Sequence, residues 1–429
     1  MTRIKKKLIY IVLDGAADGL RENSSLSLAS TPNMDEVAQE SIGGLHYPVR
    51  KGVAPESDSA VFSLLGYDPE RFYVGRGPVD ALGVGLNMKD DYEVALRGNL
   101  ASADFARGII IDRRVGRDIT TEEAMALLRG CKHLELGIYE GYARLKVGLK
   151  YRFAVVIGSR KYKLSDMISN TDPAYSKRGS ISIALPDYSN NIVECTPINS
   201  DNRAVITAKL VNKFIDTLNL KLVDHPVNRR RIRMGKLPAN TVILRDAGMK
   251  PKGIPKMKRY YRLSFIAIAD MPTEIGIAKL LGMKVYKSPP MTGDFRRDCL
   301  SRVEYVLDAS PHADAVYIHI KGPDIYGHDG DMEGKIKSLE EIDSYFIGPL
   351  LNRIDLDQYA ILITMDHSTP PQERRHTDDP VPYILRLDNK YRDKFQVFSE
   401  YEVYKKGSLG ILGSAWMMMP IIIKLLSAL

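Results

Sequence analysis

Cysteine is scarce in this chain of 429 residues. Its three cysteines, Cys131, Cys195 and Cys299, form no CxxC pair, which argues against a disulfide framework and makes a reducing compartment, the cytoplasm, the expectation. Long apolar runs are also missing. A membrane span needs about 18 uninterrupted apolar residues, and the apolar tail Trp416–Leu429 is broken by Pro420 and Lys424, so it reads as a last strand or helix packed on a core. Lys5-Lys6-Lys7 precede an apolar run only from Leu8 to Leu13, too short for the core of a secretory signal, and none is expected. There is no GxxxxGK phosphate loop. Gly75-Arg76-Gly77-Pro78 does not make a GxGxxG fingerprint, and no GxSxG elbow surrounds Ser57, so a P-loop ATPase and a lipase-like triad are disfavoured. No internal repeat of about 20–50 residues is visible, which excludes solenoids and propellers.

What is present supports an ordinary folded core. The chain is 44% apolar and 27% charged, a balance that disfavours extended disorder. Its length predicts two or three domains at about 100–200 residues each. Lys and Arg exceed Asp and Glu by 61 to 53, a net +8, which suits anionic ligands and leaves phosphate metabolites and nucleic acid both open.

The two ends of the chain share one texture. Leu8–Leu13 is a continuous apolar run of the kind buried parallel strands show, and it ends at Asp14-Gly15. Thr31-Pro32, with Asp35 and Glu36 in the next turn, predicts a helix start capped by Thr31. Near the other end, Ala315–Ile320 reads as a strand, about 332–354 as one long helix on Ile336, Leu339, Ile342 and Phe346, and Tyr359–Thr364 as the next strand. Strand, helix, strand at this spacing predicts right-handed crossovers and a mostly parallel α/β sheet between helices. From about Met88 to Pro226 the pattern turns to alternating strands and turns, as at Gly108–Asp112 and Tyr151–Val156. The expected organisation is therefore a discontinuous α/β domain, 1–87 and 229–429, interrupted by a smaller α+β domain, 88–228, with hinges near Leu86–Asp90 and Val223–Arg229.

Function in open α/β sheets gathers at the carboxyl ends of the strands. Three such ends carry carboxylates and imidazoles: Asp14; Asp324 with His328; and Asp366-His367 with His376. This donor set suits borderline or hard divalent ions, and six such residues are enough for two adjacent sites. Taken singly, each also reads as a turn residue or a hydrogen-bonded structural histidine. His46, His133, His225 and His312 read as structural, and His319, alternating into an apolar strand, as a core residue or a support for the site. Pro55–Ala60 leads into a helical pattern at Ala60, Phe62, Leu64 and Leu65, placing Ser57 near a helix N-terminus that favours phosphate. A metal on its hydroxyl would make it a nucleophile, and a plain N-cap is the alternative. Arginines cluster at Arg113, Arg114 and Arg117 and again at Arg229–Arg233, and guanidinium forks suit carboxylate or phosphate. The second cluster, without interleaved aromatics, reads as a solvated face.

In order and spacing these fragments resemble one family. Ile11–Gly15, Ser57-Asp58, Ser63–Pro69, Gly75–Pro78, Arg97-Gly98-Asn99, Asp112–Arg114, His319–Lys321 with Asp324 and His328, Asp366-His367-Ser368, and His376 with Asp379–Pro382 are together similar to the archaeal-type cofactor-independent phosphoglycerate mutases of the alkaline phosphatase superfamily. The resemblance implies an alkaline-phosphatase-like sheet with an inserted lid, and interconversion of 3- and 2-phosphoglycerate without 2,3-bisphosphoglycerate through a phosphorylated Ser57. It implies one metal set of Asp14, Ser57, Asp366 and His367 and another of Asp324, His328 and His376. Mn²⁺ is the expected ion, with Zn²⁺, Mg²⁺ or Co²⁺ as alternatives. Arg97, Arg113, Arg114, Arg117 and Arg245 would hold the glycerate, and Lys321 would touch the phosphate. Three positions depart from the family pattern: Glu56 and Ser59 flank Ser57-Asp58 where small and apolar residues are expected, and Gly98 replaces a cysteine. A small-molecule substrate is expected, with no nucleic-acid or membrane partner. Two rivals stay open: a phosphatase or mutase for another small phosphorylated metabolite, and a basic nucleic-acid-binding protein using the Arg229–Arg233 run.

Overall fold

The apolar run after Lys6 forms the strand Lys7–Leu13, near the middle of an eight-stranded sheet in a computed structural model that describes residues 4–178, 181–185, 187–288, 292–388 and 390–429. The strand order is Lys284–Lys287, Phe265–Ala269, Ala315–Ile320, Lys7–Leu13, Tyr359–Met365, Val381–Arg386, Ser41–His46 and Ile411–Leu412. The first five run parallel. Only Val381–Arg386 is antiparallel to both neighbours, and the last pair is again parallel. Ile9, Ile11 and Leu13 face one core with helices Phe295–Ala309 and Met332–Ile342. The alternate residue Tyr10 faces the other side, where its hydroxyl donates to Leu64 O at the end of helix Ser57–Leu64. Each such fully buried side chain contributes about 1.5–3 kcal/mol. The expected mostly parallel sheet between helices thus forms. Among the described residues, no helix is long and apolar enough to cross a membrane.

Register decides what the strands present. Leu13 pairs with Ile320 on one side and Met365 on the other. The next residues, Asp14, Lys321 and Asp366, therefore leave three adjacent strands at one level, and Asp14 N–H still donates to Ile320 O at 2.9 Å.

Chain contacts divide the molecule into two units: Met1–Tyr73, Pro255–Asp270 and Leu281–Leu429 in the first, Val74–Ile254 and Met271–Leu280 in the second. The second has an antiparallel sheet in the order Thr241–Met249, Glu93–Asp104, Arg152–Ser159, Gly141–Val147 and His133–Glu135, with Ile109–Asp112 also on Glu93–Asp104. Helix Asn202–Leu222 buries Ile206, Leu210, Phe214 and Leu218 at helical spacing into the core beside this sheet.

This unit is wider than the 88–228 expected from sequence, and both expected hinge stretches lie inside it. The reason is close packing at glycine. A side chain at Gly77 would meet Asp246 O at 2.3 Å and Ala95 O at 2.5 Å, so helix Arg76–Val84 lies directly on the sheet. Helix Pro272–Leu281 docks on that helix through Gly276, whose Cβ would be 1.9 Å from Val79 O, and against Gly83.

Three local expectations are corrected. Thr31 precedes helix Pro32–Gln39 but makes no side-chain cap; buried Asp343 instead accepts the N–H groups of Asn33 (3.2 Å) and Met34 (2.7 Å). The helix expected over about 332–354 is interrupted by a π-turn at Asp343–Ile347 and ends at Leu351. The run Arg229–Arg233 is not wholly a solvated face: Arg231 is fully buried, paired with Asp118 at 2.5 Å and Glu123 at 2.8 Å, with Nε donating to Leu237 O.

Candidate functional site

All the expected acidic and histidine residues converge in the first unit. Two groups offer ligand atoms mutually within 4.8 Å: Asp14, Asp366 and His367, and Asp324, His367 and His376. His367 is common to both. Its Nε2 lies 3.2 Å from Asp366 Oδ2 and 3.7 Å from Asp14 Oδ1, and its Nδ1 is 3.9 Å from Asp324 Oδ1. His376 Nε2 and His328 Nε2 each lie 3.5 Å from Asp324 Oδ1. Ser57 is the first residue of helix Ser57–Leu64, and its Oγ is 3.2 Å from His367 Nε2. The positive end of the helix dipole favours an anion beside the hydroxyl.

The outer nitrogens show how the rings are aimed. His376 Nδ1 donates to Pro55 O at 2.7 Å and His328 Nδ1 to Arg374 O at 3.1 Å. A carbonyl can only accept, so Nδ1 keeps its proton in each ring; the two Nε2 atoms, 3.2 Å apart, share the inward side with Asp324, and an Nε2 that gives up its proton turns a lone pair inward, the arrangement metal-binding imidazoles use. Among the described residues, no hydrogen-bond donor reaches buried Asp14 Oδ1. Inward lone pairs and crowded carboxylates are a donor set that fits divalent cations.

Electrostatics at the site agree. Burial pushes the Asp324 carboxyl up, but the His376 hydrogen bond and the charges of His367, His376 and His328 outweigh it and hold it well below the usual carboxylate range. Asp366 behaves alike: burial raises it, and His367 and His319 bring it far below. Burial works to lower His376, yet its hydrogen bond and ion pair with Asp324 lift it to about 9. Protons concentrate where dications fit.

Further residues support this set, and of them the sequence reading missed Tyr73 and Lys335. His319 is part of the site: its Nε2 is 3.6 Å from Asp14 Oδ1 and 3.4 Å from Asp366 Oδ2. Lys321 Nζ is 3.2 Å from Asp14 Oδ2. Asp58, buried next to Ser57, accepts a short hydrogen bond from the Tyr73 hydroxyl. Glu56 is exposed at the helix start, and its charge helps raise His376. Beneath lies Lys335, fully buried, donating to Asp18 Oδ1 (2.6 Å), Thr369 O (2.9 Å) and Ala17 O (3.1 Å). Its signal was a lysine on the stripe that also carries Leu339 and Ile342. His46, by contrast, is structural as expected: it is buried, bonded to Thr364 Oγ1 at 2.9 Å, and lowered by burial to about 3.

The arginines belong to the second unit. Arg97 and Arg245 are cross-strand partners on antiparallel strands. Among the described residues, Arg97 Nε and Nη1 are buried without hydrogen-bond acceptors, and Asp80 Oδ2, 3.8 Å from Nε, is a loose counter-charge. Burial, with repulsion from Arg76 and Arg245, pushes the Arg97 guanidinium down to about 9. Arg76, Arg97 and Arg152 line one cavity with Asp80 and Thr273. Arg76 and Arg152 were not singled out from sequence. Arg113 is held bidentately by Asp172 at 2.6 and 2.7 Å and lies, like Arg245, over the Tyr175 ring. Arg114 is half-buried and Arg117 exposed. Their loop is strained: Val115, Gly116 and Arg117 all have φ between +53° and +65°. Asp112 Oδ1 accepts from Arg114 and Gly116 N–H, and the buried Arg231 anchors Asp118 just beyond.

A family model described as 2,3-bisphosphoglycerate-independent phosphoglycerate mutase matches residues 38–228. The chain is 38% identical over 426 residues to a protein of that name from Aeropyrum pernix, covering 98% of this chain and 100% of the relative. It is 35% identical to 2,3-bisphosphoglycerate-independent phosphoglycerate mutase 1 of Archaeoglobus fulgidus, covering 95% of each. Among solved structures, the cofactor-independent phosphoglycerate mutase of Thermoplasma acidophilum superposes with a TM-score of 0.63 at 29% identity, covering 98% of this chain and 100% of the other.

Proposed function

The chain belongs to the 2,3-bisphosphoglycerate-independent phosphoglycerate mutase family, and on that premise we propose that it interconverts 3-phosphoglycerate and 2-phosphoglycerate through a phosphoserine at Ser57. One observation carries the reading: Ser57 Oγ stands at a helix start, 3.2 Å from the histidine shared by both ligand groups. Asp14, Ser57, Asp366 and His367 would hold one divalent ion, and Asp324, His328 and His376 the other, most readily Mn²⁺. Bound there, the ions would supply Lewis-acid stabilisation of phosphoryl charge and a lowered pKa for the serine hydroxyl.

The remaining roles fall to the chain. Ser57 Oγ forms the new P–O bond in line as the bond to the 3-oxygen of glycerate breaks, and later returns the phosphoryl to the 2-oxygen. Lys321 and the positive end of the serine helix offset charge on the phosphoryl oxygens. Arg97, Arg113, Arg114, Arg117 and Arg245 bind the glycerate carboxylate and keep the acceptor from leaving. Unspent buried donors on Arg97 support this part. Holding glycerate while excluding water is what separates a mutase from a phosphatase.

The test is covalent. Protein loaded with Mn²⁺, mixed with 3-phosphoglycerate and quenched in acid should carry phosphate on the peptide containing Ser57, and Ser57→Ala should carry none and turn over no substrate. A Ser57→Ala variant with near-normal turnover overturns the assignment.

A further inference from the structure

We propose that Thr369 is a positioning residue of the reaction: its hydroxyl fixes which ring nitrogen of His367 faces the metal groups and ties the two groups together. The inference rests on the metal-site reading above and adds to it a residue that neither sequence motif nor family resemblance singled out.

Among the three inward-facing histidines, His328 and His376 have backbone carbonyls behind them. His367 has a hydroxyl instead: its Nδ1 is 3.0 Å from Thr369 Oγ1. A hydroxyl can donate or accept, so by itself it would leave the tautomer undecided. Asp324 decides it. Thr369 Oγ1 also lies 2.9 Å from Asp324 Oδ1, and an ionised carboxylate can only accept. The single hydroxyl proton therefore goes to Asp324, and Oγ1 is left to accept from His367 Nδ1–H. Nδ1 so keeps its proton, and Nε2, the nitrogen turned to Ser57, Asp14 and Asp366, is the one that can present a lone pair to a metal. One hydroxyl so joins Asp324 of one ligand group to the histidine that completes the other.

The hydroxyl is held with little freedom. Thr369 is fully buried. Its N–H donates to Ala17 O at 2.9 Å, and its carbonyl accepts from the buried Lys335 ammonium at 2.9 Å. Two glycines make room around it: a Cβ at Gly327 would stand 2.3 Å from Thr369 O, and one at Gly15 would stand 2.8 Å from Thr369 Oγ1 and 2.6 Å from Asp324 Oδ1. The loops after Asp14 and His367 and the helix Pro323–Asp329 thus meet on this residue.

The test compares Thr369→Val, which keeps the shape and deletes the hydroxyl, with Thr369→Ser, which keeps it. Full-length metal-stripped proteins are titrated with Mn²⁺ by calorimetry, and the unfolding temperature of each metal-free protein is recorded. Outer partners of metal ligands are worth about 10–100-fold in affinity, so Thr369→Val should weaken Mn²⁺ binding by about that factor, with Thr369→Ser close to wild type. Mn²⁺ binding by Thr369→Val equal to wild type, or equal weakening in both variants, overturns the proposal; so does a fall in unfolding temperature with Mn²⁺ affinity unchanged. Should Thr369→Val not fold, Thr369→Ala carries the same comparison. Failure of the underlying reading looks different: wild type itself then takes up no Mn²⁺, and both ideas fall together.

Discussion

Replacing Lys335 by methionine removes a fully buried cation while nearly conserving side-chain length. In the native protein all three ammonium protons are used, on Asp18 Oδ1, Thr369 O and Ala17 O. Ala17 O keeps the Thr369 N–H, and Asp18 Oδ2 keeps the Ser25 N–H at 2.6 Å. What the substitution strands is the Asp18 charge, 1% exposed, and the Thr369 carbonyl. Removing one partner of a buried ion pair costs about 3–5 kcal/mol. For a unit of this size each kcal/mol shifts the melting temperature by about 2–4 °C, so Lys335→Met should melt roughly 10 °C below wild type by calorimetry. Changing Asp18 to Asn in the same protein removes the stranded charge and should recover a large part of the loss, a coupling of about 1–3 kcal/mol. A single variant melting within about 2 °C of wild type, or a double variant that is simply additive, refutes the reasoning.

Glu400 gives a pH test of the same network. Burial pushes its carboxyl up to about 7, against hydrogen bonds from Ser24 and the Asp18 N–H. A raised carboxyl pKa means the folded state holds a proton the unfolded chain has lost. Stability from this group is therefore full below its unfolded value near 4.5 and declines as pH rises to about 7. Glu400→Gln should flatten that decline in urea unfolding measured from pH 4.5 to 8, and parallel curves would count against it. Arg231→Met should destabilise the second unit by about 3 kcal/mol, and it should raise KM for 3-phosphoglycerate more than it slows hydrolysis of a simple phosphate ester, because Arg231 anchors the arginine loop through Asp118. Arg113→Ala or Arg114→Ala should likewise harm mutase turnover more than simple ester hydrolysis; equal losses would remove them from glycerate binding. Gly98→Cys places a Cβ 2.2 Å from the Phe153 ring and should cost about 1–3 kcal/mol in unfolding.

The parts of this molecule legible in sequence are those set by local pattern. Continuous apolar runs gave the strands Lys7–Leu13, Ala315–Ile320 and Tyr359–Met365, and the residues just past them gave the ligand groups. The turn before Ser57 gave its helix start. What sequence could not supply depends on partners far along the chain. Thr31 looks like a cap, but Asp343 does the capping. Lys335 breaks an apolar stripe because its acceptors, Ala17, Asp18 and Thr369, come from two distant loops. Arg231 looks like one charge in a run, yet Asp118 and Glu123 bury it. The wider second unit follows from Gly83 and Gly276 letting two helices touch across about 190 residues of sequence, a contact no periodicity announces. His319 looked apolar by its neighbours, and only the register beside Val12 brings it to Asp14 and Asp366.

The central claim is tested most directly by following products. Metal-stripped protein is given 3-phosphoglycerate with and without Mn²⁺, in the absence of 2,3-bisphosphoglycerate, and 2-phosphoglycerate and free phosphate are measured together. Mn²⁺-dependent 2-phosphoglycerate with little free phosphate is the predicted result. Free phosphate without 2-phosphoglycerate would contradict it, leaving a serine phosphatase whose arginines serve another substrate.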